Sequence, residues 1–411
     1  IVYGGDSGDI TINCGQDSSF SGVWTAQGNT DSNGIGDFYY TPPTGFLALC
    51  TKNLPDVDVI PSEHFNALTY SGNSSTNAIT GVGFQPDFTW FKCRSETRSH
   101  SLVDSVRGFN GTSGRVIQSA STNAEWESAY INSLNSDGFT VSGSENYINN
   151  SSHTYVAWNW KAGNATLAAN AFTQGSLAST CSRNVDAGFS IVSWTGNNST
   201  GTIGHGLSKA PELILLKGRN IVKNWVVYHA SNTTAPETDF LTLNTTAATE
   251  DHDMWQDTAP TATVFSVSAN DQVNNSSSTT YIGYCFHSVE GYSKFGSYTA
   301  NSNNNGPFVY TGFKPAFVIC KSSSYSNSET FWIMFDNERP GYNETNLQLY
   351  ANSSLGEAQR EDEGGAINYK IDFLSNGFKW RDSPWSGNAS NGATYIYLAF
   401  AETPFKYSNA R

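Results

Sequence analysis

The residues able to do chemistry are scattered. Seven histidines, His64, His100, His153, His205, His229, His252 and His287, form no HExxH pair and no Cys/His ligand spacing. Asp251-His252-Asp253 offers two carboxylates around an imidazole. Adjacent residues in a strand or turn point apart, so a solvated turn is expected there rather than a metal site. Asp104-Ser105-Val106-Arg107 matches Asp336-Asn337-Glu338-Arg339, while His229 holds the aspartate's place in a third copy. A catalytic acid would not be kept twice and change character once. Asp104, Arg107, Asp336 and Arg339 are therefore expected as structural ion pairs that pin loops. The acidic stretch Glu357 to Glu363 reads as an exposed loop, and no nucleophile elbow or phosphate loop is evident. The expectation is no catalytic residue, no metal and no cofactor. Sugars stack on aromatic faces, so the loop aromatics Trp255, Trp380 and Trp385 are the candidate ligand contacts. Trp90, Trp158 and Trp160, on strand phrases, are expected in the core.

The elements that must position these residues recur three times. Pro86-Asp87-Phe88-Thr89-Trp90-Phe91-Lys92 returns as Pro211 to Lys217 and Pro315 to Lys321, with the lysine always six residues after the proline. Thr154-Tyr155-Val156-Ala157-Trp158-Asn159-Trp160 returns as Thr280 to Phe286 and Thr394 to Phe400. The proline spacings are 125 (211 − 86) and 104 (315 − 211), long enough for each unit to bury a core. Alternation puts Val156, Trp158 and Trp160 on one strand face, with Ile282, Tyr284 and Phe286, then Ile396, Leu398 and Phe400, at the same places. The expected fold is all-β: tandem β-sandwich domains, jelly-roll or concanavalin-like, in three related repeats. The expected organisation is 1–61 as the end of a preceding domain plus connector, 62–162 as repeat one, 163–187 as linker, 188–287 as repeat two and 288–411 as repeat three. Repeats two and three, joined by Ser288 to Gly291, are expected in a fixed mutual orientation.

Charged residues make up 14% of the 411, against roughly 25% in ordinary soluble domains. Solubility must come from Asn, Ser and Thr, which favour turns over helix interiors. A net charge of −14 without clustered Lys and Arg argues against a nucleic-acid partner. No apolar run is long enough for a helical membrane span. The six cysteines form no CxxC pair, and buried free thiols are favoured over disulfides.

Gly81-Val82-Gly83-Phe84-Gln85-Pro86-Asp87-Phe88, Glu290 to Thr299, Phe373 to Lys379 and the ending Tyr395 to Arg411 carry a family resemblance. They resemble the C-terminal repeat region of virion proteins of marine tailed bacteriophages, of the tail-fibre or receptor-binding type. In those proteins the region often follows a SPRY-like, concanavalin-type domain; here Ile10 to Gln16 looks like the end of one, and Tyr40 to Phe46 like the connector. The resemblance implies a non-enzymatic protein of the virion surface, a tail fibre or a head or tail decoration, that mediates host attachment or subunit assembly. Its implied partners are other virion subunits, a homo-oligomer with a trimer favoured, and a host surface glycan. A carbohydrate-active depolymerase or lectin, and a bacterial surface adhesin or filament subunit, are the alternatives. Recognition is expected in loops on a rigid scaffold: Arg94 to His100, Gly108 to Tyr130, Asn232 to Pro260, Ser322 to Glu329 and Glu338 to Ile367.

Overall fold

Strands rich in aromatic and β-branched residues, punctuated by Gly and Asn turns, give 39% strand and 3% helix in the computed structural model. The structure describes residues 2–4, 10–53, 58–163, 172–275, 277–339, 343–357, 370–381 and 387–403. The chain divides into two compact units, Ile1–Val57 with Phe405–Arg411, and Asp58–Pro404.

In the first unit, strand Val2–Gly4 pairs with Ile10–Ile12, and side-chain carboxylates organise the remainder. Asp31 accepts the amides of Asn33, Ile35 and Ala48 and the side chain of Asn53. Desolvation opposes its charge, yet these donors outweigh it and hold its pKa at about 2.

In the second unit each repeat builds a main sheet in one order: opening strand, closing strand, proline strand, following strand. Repeat one uses Phe65–Ser71, Thr154–Trp160, Phe88–Cys93 and Ser101–Asp104. Repeat two uses Phe189–Thr195, Thr280–Phe286, Leu213–Gly218 and Val226–His229; repeat three uses Ser293–Thr299, Thr394–Thr403, Lys314–Ser322 and Ile333–Asp336. The registers agree: Trp158 faces Trp90, Tyr284 faces Leu215, and Leu398 faces Ile319.

Each closing strand is apolar on both faces because it serves two cores. Tyr155 and Ala157 pack toward repeat one's small second sheet, Ile131–Asn135, Gly138–Val141 and Asn77–Thr80. Val156, Trp158 and Trp160 instead enter a core shared with Ile282, Tyr284 and Phe286 of repeat two and Ile396, Leu398 and Phe400 of repeat three. The three sandwiches are thus built against one another, which differs from a string of separately cored domains. At their meeting point a void of about 20 Å³ is lined by Phe88, Trp90, Leu213, Leu215, Phe317 and Ile319 with closing-strand residues of all three repeats. Leu215→Ala would enlarge it and should cost about 2–5 kcal/mol in urea unfolding.

The stretch 163–187 departs from the expected linker. Ser179–Asn184 is a strand pairing along Phe189–Thr195, so it extends repeat two's sheet. Residues 164–171 of that stretch lie outside the described residues. Among the cysteines, Cys93, Cys181, Cys285 and Cys320 are buried free thiols; Cys14 and Cys50, free as well, are exposed, contrary to the expectation of burial. Among the described residues no helix is long and apolar enough to cross a membrane.

Candidate functional site

The polar residues that recur in the sequence meet where one repeat contacts the next, at three corresponding seams. The first station is the proline-strand lysine. Lys217 Nζ donates to the Thr122 carbonyl at 3.3 Å, Lys321 to Thr246 at 3.0 Å, and Lys92 to Ser354 at 3.3 Å. Repeat two reaches repeat one, repeat three reaches repeat two, and repeat one reaches repeat three, so the ring closes. All three side chains are buried without a carboxylate ion pair among the described residues. Burial lowers Lys92 and Lys217 to about 8 and Lys321 to about 7.

The second station immediately precedes each following strand. Trp225 Nε1 donates to the Gln118 carbonyl at 2.9 Å and Trp332 Nε1 to that of Thr242 at 3.1 Å. In repeat one His100 stands in their place, its Nε2 2.8 Å from the Tyr350 carbonyl. Burial keeps its pKa well below the usual histidine value, so it is neutral, and Nε2 carries the proton that this contact requires.

The third station contains the expected ion pairs. Arg107 Nε lies 2.5 Å from Asp104 and Arg339 Nε 2.6 Å from Asp336, all fully buried. Across the seam, Tyr284 donates to Asp104 at 2.7 Å and Trp158 to Asp336 at 2.9 Å. Leu398 cannot donate, and there the polarity reverses: His229 Nε2 lies 3.1 Å from the Tyr397 carbonyl. This explains why the aspartate's place is held once by histidine. Burial also brings His229 down to about 4.

The surrounding charges change as a set. Arg107 and Arg219 converge on Glu125, and Arg339 and Arg94 on Glu357. Burial opposes ionisation of Arg107, yet Asp104, Tyr284 and Glu125 outweigh it and hold the guanidinium protonated. Likewise Arg339 and Arg94 outweigh the burial of Glu357 and keep its pKa below the usual value. At the remaining seam the corresponding residues are Asn232, Thr249 and Ser323, with the Thr249 hydroxyl 2.7 Å from Asn232 and the Thr249 amide donating to the Ser323 carbonyl. At this station two seams are therefore charged and one is neutral, each internally consistent.

These stations draw on the segments where recognition was expected. Glu125 from 108–130, Thr246 and Thr249 from 232–260, and Ser354 and Glu357 from 338–367 face a neighbouring repeat. The aromatic candidates require correction. Trp255 is 1% exposed, packs on Tyr228 and donates to the Asp239 carbonyl. Trp380 is fully buried at the end of strand Gly377–Trp380. Neither presents a face to a ligand, because each fills its repeat's own sandwich core. Trp385 lies outside the described residues. Trp255→Ala should accordingly cost about 3–5 kcal/mol of stability in chemical denaturation. Asp251-His252-Asp253 is exposed, and no metal-binding group of three or more such residues occurs among the described residues.

Clefts open to ligands among the described residues include two. The larger, about 570 Å³, lies on repeat two. Leu177, Ala178 and Trp194 line it together with Ser176, Thr180, Thr195, Asn197, Thr280 and Arg219. Arg219 is held bidentate by Glu125 at 2.9 and 3.0 Å, so the site sets hydroxyls and apolar side chains around a fixed planar group. The smaller, about 220 Å³, lies between repeats three and one and is bordered by Glu338 and Glu402. Sequence reasoning missed both clefts; Arg219 and Glu402 carry no motif of their own.

The fold defines a class first: an all-β protein whose sandwich repeats share a central core through polar seams. The chain belongs to the family described as "Domain of unknown function (DUF7483)", whose model matches residues 60–404, nearly the same span as the second compact unit. No curated protein and no solved structure matches the chain.

Proposed function

We propose that this chain is a non-enzymatic surface protein of a bacteriophage particle, a tail fibre or head or tail decoration, acting as a rigid platform for contact with the host envelope or with other subunits. The observation that carries the role is the use of the repeated ionisable residues. Lys92, Lys217 and Lys321 donate across repeats, Asp104 and Arg107 both contact the Tyr284 hydroxyl, and Asp336 and Arg339 both contact the Trp158 ring. Groups locked in this way favour a scaffold over a reaction centre. The setting on a virion comes from the sequence resemblance, and homo-oligomerisation, with a trimer favoured, from the same source. Mass spectrometry of purified particles tests it: the chain should appear as a stoichiometric component, and its absence from particles would remove the virion reading.

The cleft on repeat two, which combines hydroxyls with apolar side chains, favours a lectin-like contact with a host surface glycan within that role. Incubation with host polysaccharide should give binding that weakens at least tenfold in Asn197→Ala, with no oligosaccharide released. Release of oligosaccharides would instead favour a depolymerase.

A further inference from the structure

The three seams differ at one further place, where a strand edge meets the start of the neighbouring proline strand. At the first seam Asp87 accepts from the Ala162 amide, the Ser105 hydroxyl and the Ser182 hydroxyl. Ser182 belongs to the added strand Ser179–Asn184, where it pairs with Ile191. At the second seam Glu212 accepts from the Ser288 amide, and the Ser288 hydroxyl receives the outward amide of Phe295 at 3.2 Å. Ile191 and Phe295 occupy the same register, opposite Tyr284 and Leu398; their counterpart in repeat one is Ala67, opposite Trp158.

At the third seam both fillers are missing. Ala316 replaces the carboxylate of Asp87 and Glu212, and no strand pairs with the outer edge of Phe65–Ser71 among the described residues. The 220 Å³ cleft opens there, lined by Phe65, Ala67 and Ala316 and bordered by Glu338 and Glu402. Glu402 is paired with Lys314 at 2.6 Å, whereas Glu338 makes no ion pair among the described residues. The places of Glu338 and Glu402 are held by Val106 and Ala162 at the first seam and by Ser231 and Ser288 at the second. At these two places carboxylates stand only at the third seam; at the second, where Ser293–Thr299 is likewise at the sheet edge, the Val289–Ser293 bridge and the Ser288 hydroxyl occupy part of that edge.

We infer that the Phe65–Ser71 edge receives an extended strand of a partner protein, carrying a Lys or Arg that enters the cleft toward Glu338 and Glu402. The chain lays its own strand on the corresponding edge of repeat two, so the geometry of strand addition is already present in this fold. A sheet edge supplies main-chain affinity, and pockets beside it select alternate side chains. Ser182 spans the short distance to Asp87; with Ala316 in that carboxylate's place, the acceptors sit farther out and a long cationic side chain meets them. This site goes beyond the proposed function and stands whether or not the chain is part of a particle.

The probe is a synthetic peptide of residues 177–186 with Cys181→Ser and Ser182→Lys, titrated against the full chain by fluorescence anisotropy. It should bind at least tenfold more tightly than the same peptide with Ser182 unchanged. Glu338→Gln combined with Glu402→Gln should abolish that preference, and amide exchange should slow in Phe65–Ser71. Circular dichroism and unfolding midpoint show whether the double variant folds; if it does not, Glu338→Gln alone, at the rim, serves. Failure of the lysine peptide to bind, equal binding of both peptides, protection elsewhere, or self-association of the chain through this edge would each overturn the inference.

Discussion

Asp104→Ala should destabilise the chain by about 3–5 kcal/mol, because it leaves the Arg107 guanidinium buried without its counter-charge. Domain stabilities are about 5–15 kcal/mol, so the loss would be plain in urea midpoints. The Tyr284 hydroxyl loses its acceptor as well. The neutral seam shows how the same junction closes without charge. Installing its residues together, as Asp104→His, Arg107→Asn, Glu125→Thr, Arg219→Ser and Tyr284→Leu, should cost less than Asp104→Ala alone. Whole replacement of a buried ionic group is often near neutral, whereas breaking one partner is not. If the fivefold variant loses the sum of its single losses, the seams are not interchangeable units and this account of them is wrong.

Stability should climb with pH in two stages. His205 and His229 are lowered by burial to about 4, so each must take up a proton on unfolding below about 6.5. A depressed base contributes stability fully above its unfolded pKa and loses it as pH falls through the folded value. The first rise therefore runs from about pH 4 to 6.5. The lysines, at about 8, 8 and 7 against 10.5 unfolded, add a second rise starting near pH 7. Each contributes up to about 1.4 kcal/mol per pH unit within its window. Above about pH 9 the opposite sign enters, because burial raises Cys181 to about 12 while the unfolded thiol ionises. Denaturation midpoints in urea should rise between pH 7 and 9, and Lys321→Met should flatten part of that rise. An unchanged slope in this variant would mean that Lys321 is charged and well solvated in the folded chain.

The closing strands were legible because alternating side chains leave a pattern: Val156, Trp158 and Trp160 read as one buried face, and they are buried. The pattern could not say which core receives them, since a strand buried on both faces is apolar on both. The proline-strand lysines were visible as a constant spacing, yet their role was not. Their acceptors are main-chain carbonyls of Thr122, Thr246 and Ser354, which impose no residue type and leave no trace in sequence. His100 was equally opaque, because its counterparts are tryptophans and only the shared ring N–H links them. Trp255 and Trp380 were read as loop aromatics, whereas their indoles fill sandwich cores. Of the clefts, the one at the third seam depends on Ala316 standing where Asp87 and Glu212 stand elsewhere, a difference that matters only after the seams are superposed.

Native-state hydrogen exchange in the Leu215→Ala chain tests the shared core most directly. Leu215 belongs to repeat two and faces the void where all three repeats meet. If one core holds the ring, the substitution should lower protection by similar amounts in Thr154–Trp160, Thr280–Phe286 and Thr394–Thr403. Loss confined to Thr280–Phe286, with the other two closing strands as protected as before, would show three independently stable sandwiches and contradict the account.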